Sequence, residues 1–220
     1  MNNLTKAYPL LYRWKKPGNE KAYLRPYTPT SYVDKPNEVE FTIKKYDDGK
    51  MTPHLFSLKV GDEIEIGKLI QKIEYVPNKW GHVSLIGGGS GITPLYQILI
   101  HALSDTNDNT KLTLIYANKT PQDILLKSEI DDLASKHDRF NVVYTIDNPH
   151  QDWNGHVGFV NYDTIKSNIP SSDVSNQKIL VCGPPGQMIA VSGTKNEKGE
   201  QGSLIGILKD LNYTEEQVFK

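Results

Sequence analysis

The chain has 220 residues, enough to bury a substantial core in one large domain or two smaller ones. A hydrophobic content of 37% and a mean hydropathy of -0.50 are typical of a globular protein in water, and no apolar run approaches the roughly 18 residues that cross a bilayer. One cysteine excludes an intramolecular disulfide framework, and the six histidines lack the spacing of a metal site, so we expect no metal. The net charge of -1 divides unevenly, with about +4 on residues 1–79 and about -5 on residues 80–220.

Residues 1–79 have the pattern of short antiparallel strands. Val39–Lys44 and Glu63–Ile66 alternate apolar with polar residues, and Asp48-Gly49 supplies a turn between them. Short alternating strands separated by turns predict an antiparallel barrel.

Residues 80–220 change to a rhythm of strand, loop and helix, which predicts a parallel sheet wrapped by helices. The predicted buried strands are Val83–Ile86, Leu112–Ala117, Val142–Ile146 and Ile179–Val181. The predicted helices are Pro94–Leu103 and Ile124–Lys136. We therefore predict a β domain over residues 1–79 and an α/β domain over residues 80–220, joined by a linker at residues 77–79.

Three motifs occur in a fixed order along the two predicted domains. They are Arg25-Pro26-Tyr27-Thr28-Pro29-Thr30-Ser31, Gly87-Gly88-Gly89-Ser90-Gly91-Ile92-Thr93-Pro94 and Cys182-Gly183-Pro184-Pro185. The set resembles the ferredoxin-reductase-like flavoenzymes, within them the NADH–cytochrome b5 reductases, and most of all their fungal mitochondrial members. The segments 118–126 and 201–208 extend the resemblance over nearly the whole chain. The resemblance implies an FAD-binding barrel, an NADH-binding α/β domain, and electron transfer to cytochrome b5 or a similar one-electron haem acceptor.

The first motif carries the FAD contacts that this resemblance implies. Arg25 offers a guanidinium fork to phosphate oxygens, and Tyr27, next to Pro26, lies against the flavin. Thr28 reaches flavin N5 and is a candidate catalytic residue, while Ser31 completes the motif. The alternative is an edge strand in which prolines restrict pairing.

A second flavin signature is implied at Gly49, Lys50, Met51 and Thr52. The glycine admits the pyrophosphate, and the Thr52 hydroxyl and successive N–H groups bind it at the start of a helix. By the same resemblance, three further residues lie beside the ribityl chain and the adenine: Ile43, Lys44 and Tyr46. The alternative is a plain turn followed by a helix cap.

The glycine-rich motif follows a predicted strand and precedes a predicted helix. Gly88, Gly89 and Gly91 allow close approach of the dinucleotide, and a helix N-terminus favours its phosphates. Thr93 is the predicted N-cap and, by resemblance, points toward the flavin. The alternative is a tight turn between strand and helix.

Two residues in the α/β domain are candidates for binding the adenosine half of NADH. Asp147 ends the third predicted strand, where a carboxylate accepts hydrogen bonds from the ribose hydroxyls and repels a 2′-phosphate. By resemblance, Phe159 stacks on the adenine. The alternatives are a plain turn at Asp147 and a core position for Phe159.

The third motif forms the nicotinamide site that the resemblance implies. Cys182, with Gly183 and Pro184, packs against the nicotinamide and sets the approach of its C4 atom to flavin N5, so Cys182 is a candidate catalytic residue without being a nucleophile. A lone cysteine is otherwise a small buried hydrophobe. Gly186-Gln187 departs from the proline and phenylalanine that are usual in the family.

The positive charge of the first domain has two interpretations: ordinary scatter of solvated charge, or a docking surface for an acidic cytochrome formed by Lys44, Lys45, Lys50 and Lys72. We expect no nucleic-acid partner and a monomer. The resemblance further implies mitochondrial location, at the outer membrane or in the intermembrane space. In the family, a membrane anchor precedes the region that this sequence matches.

Only 24 residues precede Arg25, fewer than the opening barrel strands of the family require. This leaves open a truncated copy that binds nucleotide but has lost FAD and catalysis. Two further alternatives are the flavin portion of a nitrate reductase or flavohaemoglobin and a purely structural interaction protein.

Overall fold

The computed structural model describes residues 6–7, 9–16, 18–31, 37–69, 73–196 and 198–220. The strands are β1 (Lys6–Ala7), β2 (Leu10–Trp14), β3 (Tyr23–Tyr27), β4 (Glu65–Leu69), β5 (Ile73–Glu74), β6 (His82–Gly88), β7 (Lys111–Asn118), β8 (Phe140–Ile146), β9 (His156–Val157), β10 (Gln177–Cys182) and β11 (Val218–Phe219). The helices are α1 (Thr52–Leu55), α2 (Ile92–Ser104), α3 (Lys127–Lys136), α4 (Tyr162–Asn168), α5 (Pro185–Val191) and α6 (Gly206–Asp210).

The first part of the chain forms two antiparallel sheets, as its alternating pattern predicts. One has the strand order β3-β2-β4 and the other pairs β1 with β5. The predicted strand at 63–66 lies two residues further on, as β4.

The predicted strand Val39–Lys44 is wrong. Among the described residues, 38–46 form no ladder. The Thr30 N–H donates to the Glu40 carbonyl at 2.8 Å, and the Glu40 N–H donates to the Ser31 hydroxyl at 3.2 Å, which ties this segment to the chain beyond β3. Pro29 has no N–H to donate, so the segment beyond β3 lacks a complete set of donors for regular pairing.

The second part of the chain forms a parallel sheet with the order β11-β10-β6-β7-β8-β9. All four predicted buried strands lie within it. Alternate residues of β6 enter two cores: Leu85 packs in the core with α2 and α3, while Ile86 packs with α4 and α6 on the opposite face. Because both faces are covered, the central strands are mostly apolar along their length rather than alternating, with buried polar exceptions such as Ser84 and Thr113.

The helix boundaries differ from prediction at two N-termini. Helix α2 begins at Ile92 with Gly91 as its N-cap, since a 3-10 turn at Gly89–Gly91 runs directly into it, so Thr93 is not the cap. Helix α3 begins three residues after the predicted Ile124, because Leu126 adopts a left-handed conformation with φ of 59°. Within the described ranges, no helix combines the length and apolar character needed to cross a bilayer.

Candidate functional site

The centre of the parallel sheet contains a topological switch point between β6 and β10. The chain proceeds from β6 to β7, β8 and β9 on one side, then returns to place β10 on the other side of β6. In open α/β sheets, ligands bind in the crevice at the carboxyl ends of the strands at such a point. Here Gly87 pairs with Cys182, so the second and third sequence motifs leave the sheet side by side.

The glycine-rich loop packs tightly on the cysteine motif. A Cβ atom on Gly91 would overlap the carbonyl oxygen of Cys182, so only glycine permits this approach. The Tyr116 hydroxyl of β7 donates to the Gly89 carbonyl at 3.0 Å, and burial raises the pKa of that hydroxyl. The loop is therefore held from both neighbouring strands.

Asp147 and Phe159, the candidate adenosine-binding residues, follow β8 and β9 at the carboxyl ends of the sheet's strands. Asp147 is half-buried, and its N–H donates to the Asn118 carbonyl at the end of β7 at 3.1 Å. Phe159 is 77% exposed. The alternative of a core position for Phe159 is therefore wrong, and its ring is available to a ligand.

Thr93 follows the glycine-rich loop, and Cys182 is the last residue of β10, which pairs with β6 beside that loop. Thr93 is buried in the first turn of α2, and its hydroxyl donates to the Ser90 carbonyl at 3.4 Å. Cys182 is half-buried, and burial raises the pKa of its thiol, so the sulfur is protonated at neutral pH.

The first motif lies at the edge of the three-stranded sheet. Arg25 and Pro26 are exposed on the edge strand β3, and within the described residues the Arg25 guanidinium bonds the Leu24 carbonyl alone. Tyr27 is half-buried and edge-on to Tyr12, whereas Thr28 is buried. The segment is thus an edge strand that still leaves most guanidinium donors free for a ligand.

Two hydroxyl groups of the predicted flavin site are engaged by the chain itself. The Thr52 hydroxyl donates to the Tyr46 carbonyl at 2.8 Å and accepts from the Tyr46 N–H at 3.1 Å, closing the turn that contains Gly49. The Ser31 hydroxyl accepts from the Glu40 N–H at 3.2 Å. The Thr52 hydroxyl is therefore a turn-closing group here rather than an open phosphate ligand.

The remaining residues of the second flavin signature divide into buried and exposed positions. Met51 is buried, while the Lys50 ammonium lies in the open, 5.5 Å from the centre of the Tyr23 ring. Ile43 is half-buried and Tyr46 is 49% exposed.

Three contacts among the described residues join the flavin-side segments to the nucleotide-side elements. Gln97 of α2 donates to the Pro29 carbonyl at 3.4 Å. The hydroxyls of Tyr46 and Ser90 lie 3.2 Å apart, and the remaining contact is the ion pair of Lys44 with Asp123 at 2.7 Å. We call this set of contacts the seam. Gln97, Ser90 and Asp123 were missed by sequence reasoning, although Asp123 and Ser90 lie within segments that carry the resemblance.

The flavin-side residues suit FAD by their chemistry. A dinucleotide needs cationic donors for its pyrophosphate and flat surfaces for its rings, and Arg25, Lys50, Tyr27 and Tyr46 supply both at accessible positions. Within the part of the chain that the structure describes, no three His, Cys, Asp or Glu side chains cluster as metal ligands.

Comparison with known proteins extends over both parts of the chain. Residues 9–75 match the family model described as oxidoreductase FAD-binding domain, and residues 85–193 match oxidoreductase NAD-binding domain. The NADH-cytochrome b5 reductase 2 of Aspergillus oryzae is 43% identical over 221 aligned residues, covering 100% of this chain and 68% of that protein. The protein of the same name from Candida albicans is 48% identical, covering 90% of this chain and 66% of its own length.

The solved structures agree with the sequence relatives. The crystal structure of the cytochrome b5 reductase domain of Ulva prolifera nitrate reductase superposes with a TM-score of 0.83 at 26% identity. The superposition covers 98% of this chain and 84% of the nitrate reductase domain's chain. The predicted fold class, an antiparallel flavin-binding part followed by a parallel-sheet NAD-binding part, is confirmed.

Proposed function

The chain belongs to the NADH-cytochrome b5 reductase family, and we propose that it oxidises NADH, reduces FAD and delivers electrons singly to cytochrome b5 or a similar haem protein. The observation that carries the proposal is the convergence of the three motifs. The second and third leave the sheet side by side at the switch point, and Gln97 of α2 bonds the first motif at Pro29. The family's activity requires this juxtaposition, because the hydride donor and acceptor must touch.

On the nucleotide side, NADH lies along the carboxyl edge of the parallel sheet. Asp147 binds the adenosine ribose, and the exposed Phe159 ring stacks on the adenine. The loop with Gly88, Gly89 and Gly91 receives the pyrophosphate on the open side at Gly89, because Gln187 and the Cys182 carbonyl fill the space beside Gly88 and Gly91. Thr93 faces the flavin, and Cys182, Gly183 and Pro184 border the nicotinamide. The half-buried position of Asp147 at the end of β8 supports the ribose assignment.

On the flavin side, the binding residues come from β3 and from the turn before α1. Arg25 binds the pyrophosphate, Tyr27 lies along the ring, and Thr28 donates near N5. The second signature then contributes the Lys50 ammonium and backbone N–H groups rather than the Thr52 hydroxyl. Bound FAD supplies a two-electron hydride acceptor that can release its electrons one at a time.

The work of the protein is positioning and exclusion of water rather than acid–base chemistry. The protonated thiol of Cys182 is a compact apolar surface that sets the height of the nicotinamide ring, with no covalent bond to break afterwards. The seam fixes the two binding surfaces relative to each other.

The acceptor surface differs from the four lysines expected. Lys44 is engaged with Asp123, and Lys72 lies outside the described residues. Lys45 and Lys50 remain exposed on the flavin side, although Lys45 also pairs with Asp47 at 3.0 Å. We assign these two to cytochrome docking, where salt would screen the attraction and lower the association rate.

The proposal has three finer features. The change in sequence pattern places a boundary between the domains at residues 79 and 80, we expect a monomer, and the resemblance implies mitochondrial location. Subcellular fractionation of the native protein tests the location.

The experiment that tests the function is anaerobic rapid-reaction spectroscopy of the purified chain. We expect visible flavin absorption that NADH bleaches and ferric cytochrome b5 restores, with NADPH reacting far more slowly. A colourless protein that still binds NADH would favour the truncated nucleotide-binding copy. A protein that binds neither flavin nor NADH would reject both functions.

A further inference from the structure

The side-chain amide of Gln187 lies on two glycines at the switch point. A Cβ atom on Gly88 would overlap the Gln187 Oε1 atom, and one on Gly183 would lie 3.2 Å from its Nε2 atom. The amide therefore occupies the space left by the missing side chains of both glycine motifs. Gln187 is in α5, the helix that follows the cysteine motif.

The Nε2 group of Gln187 is buried and has no hydrogen-bond partner in the described part of the chain. An unpaired buried amide is costly, by about 1–3 kcal/mol, so native proteins rarely leave one without a purpose. The residue as a whole is half-buried, and Pro184, Pro185 and Gly186 beside it are exposed. A ligand in the crevice can therefore reach this donor when the side chain turns outward.

The chemistry of the expected ligand complements this unpaired group. The only polar substituent of the nicotinamide ring is its carboxamide, whose carbonyl oxygen is a strong hydrogen-bond acceptor. We propose that Gln187 Nε2 donates to the carboxamide oxygen of NADH and fixes the rotation of the nicotinamide ring beside Cys182. This inference rests on the proposed function, since that function places the nicotinamide at the switch point.

A purely structural role accounts for the observation less well. A side chain that only fills the space between Gly88 and Gly183 would need no amide. Where this chain has Gly186-Gln187, the family that it resembles usually has proline and phenylalanine. Neither phenylalanine nor methionine can donate a hydrogen bond, so each provides a test that retains bulk. Gln187 would be a positioning residue that gains its partner only when the nucleotide is bound.

The test measures equilibrium binding of NAD+ and of ADP-ribose, which lacks the nicotinamide, to the full chain by calorimetry. We expect Gln187→Met and Gln187→Phe to weaken NAD+ binding about five- to tenfold, as the loss of one hydrogen bond predicts, with ADP-ribose affinity unchanged. Lys209→Met, at an exposed position on α6, is the control and should alter neither affinity.

A second ligand locates the hydrogen bond on the carbonyl group. The 3-acetylpyridine analogue of NAD+ retains the carbonyl oxygen and lacks the amide nitrogen, so it should bind the wild type and lose the same affinity in Gln187→Met. Equal NAD+ affinity in the wild type and both variants overturns the inference, as does an equal loss for NAD+ and ADP-ribose. Failure of the wild type to bind either ligand instead rejects the proposed function. Gln187→Leu is neutral, similar in size and without a donor, and should reproduce the selective loss if the other two variants fold poorly.

Discussion

The Lys44 ammonium lies 2.7 Å from the Asp123 carboxylate, and this ion pair is the seam contact that joins the flavin-side and nucleotide-side segments by charge. Both side chains are 28% exposed, so water screens the pair only in part. The hydrogen bond and charge of Lys44 lower the pKa of the Asp123 carboxyl. The contact between the flavin-side and nucleotide-side segments therefore depends on the ionisation of the Asp123 carboxyl.

Asp123→Asn should reduce the free energy of unfolding by no more than about 1 kcal/mol at neutral pH, because the pair is partly exposed. The pKa of Asp123 is lower in the folded state, so its stabilisation is present above the unfolded pKa of about 3.9 and declines as the pH falls through the folded value. Urea unfolding across this range should show the difference from wild type shrinking with acidity. Asp47→Asn, at the more exposed pair with Lys45, is the control with almost no effect. A difference that stays constant with pH would contradict the role of the ion pair.

A second network fixes the segment between the two parts of the chain. The Tyr75 hydroxyl donates to the Asp108 carboxylate, which also accepts from the N–H groups of Asn78 at 3.1 Å and Thr110 at 3.0 Å. Although burial alone would raise the pKa of Asp108, these hydrogen bonds lower it. Burial and the hydrogen bond to Asp108 raise the pKa of Tyr75.

Asp108→Ala should cost about 2–4 kcal/mol of unfolding free energy, because it leaves the buried Tyr75 hydroxyl and two N–H groups without their acceptor. Tyr75→Phe should cost about 1 kcal/mol, since Asp108 keeps its two backbone donors. Denaturant unfolding of both variants checks the order. Equal losses for the two variants would show that the carboxylate is not the centre of the network.

The parallel sheet could be predicted from the sequence because its signal is local. Runs such as Leu112–Ala117 are apolar at every position but one, Thr113, as is typical of strands covered on both faces, and four such runs identify the sheet. Val39–Lys44 shows where this reasoning fails. Its alternation resembles a strand, but pairing depends on the donors of a distant segment, and Pro29 removes one of them.

The motif residues of the site could likewise be predicted, whereas the contacts between them could not. The sequence predicts Lys44 to be an exposed docking lysine. The fold instead pairs it with Asp123, which lies 79 residues further along the chain. The hydroxyl of Thr52 reads as a phosphate ligand, yet the turn itself uses it for the backbone of Tyr46. In both cases the partner is set by tertiary structure, which short sequence patterns do not encode.

Thr28→Val tests the flavin-side assignment. Within the described residues the Thr28 hydroxyl makes no hydrogen bond, so we expect the variant to fold normally and to reduce flavin about tenfold more slowly with NADH, with little change in NADH affinity. Stopped-flow absorbance measures the rate. Thr30→Val is the matched control, because its hydroxyl bonds Thr42 at 3.1 Å instead. An unchanged reduction rate in Thr28→Val would remove its assigned role.

Asp147→Thr tests the ribose assignment. Loss of the carboxylate removes both an acceptor for the ribose hydroxyls and the repulsion of a 2′-phosphate, so the preference for NADH over NADPH should fall by about tenfold or more. The measurement is the ratio of kcat/KM values for the two nucleotides. Asp152→Thr, an exposed carboxylate on the same loop, should leave the ratio unchanged. If both variants behave alike, Asp147 is part of a plain turn.

Cys182 can be followed without interference because it is the sole cysteine of the chain. Burial raises the pKa of its thiol, so less thiolate is present at a given pH than in a free cysteine, whose pKa is about 8.5. Alkylation by iodoacetamide should therefore be slow at neutral pH and accelerate as the pH rises. Unfolding in urea should remove the protection.

Nucleotide protection separates a nicotinamide contact at Cys182 from simple burial. NAD+ should slow the alkylation further because its nicotinamide covers the sulfur, while ADP-ribose should protect much less. Cys182→Ser should keep NADH oxidation, at a reduced rate, because hydride transfer forms no covalent bond to the enzyme. Complete loss of activity in a folded Cys182→Ser variant would contradict the positioning role, and equal protection by the two nucleotides would place the nicotinamide elsewhere.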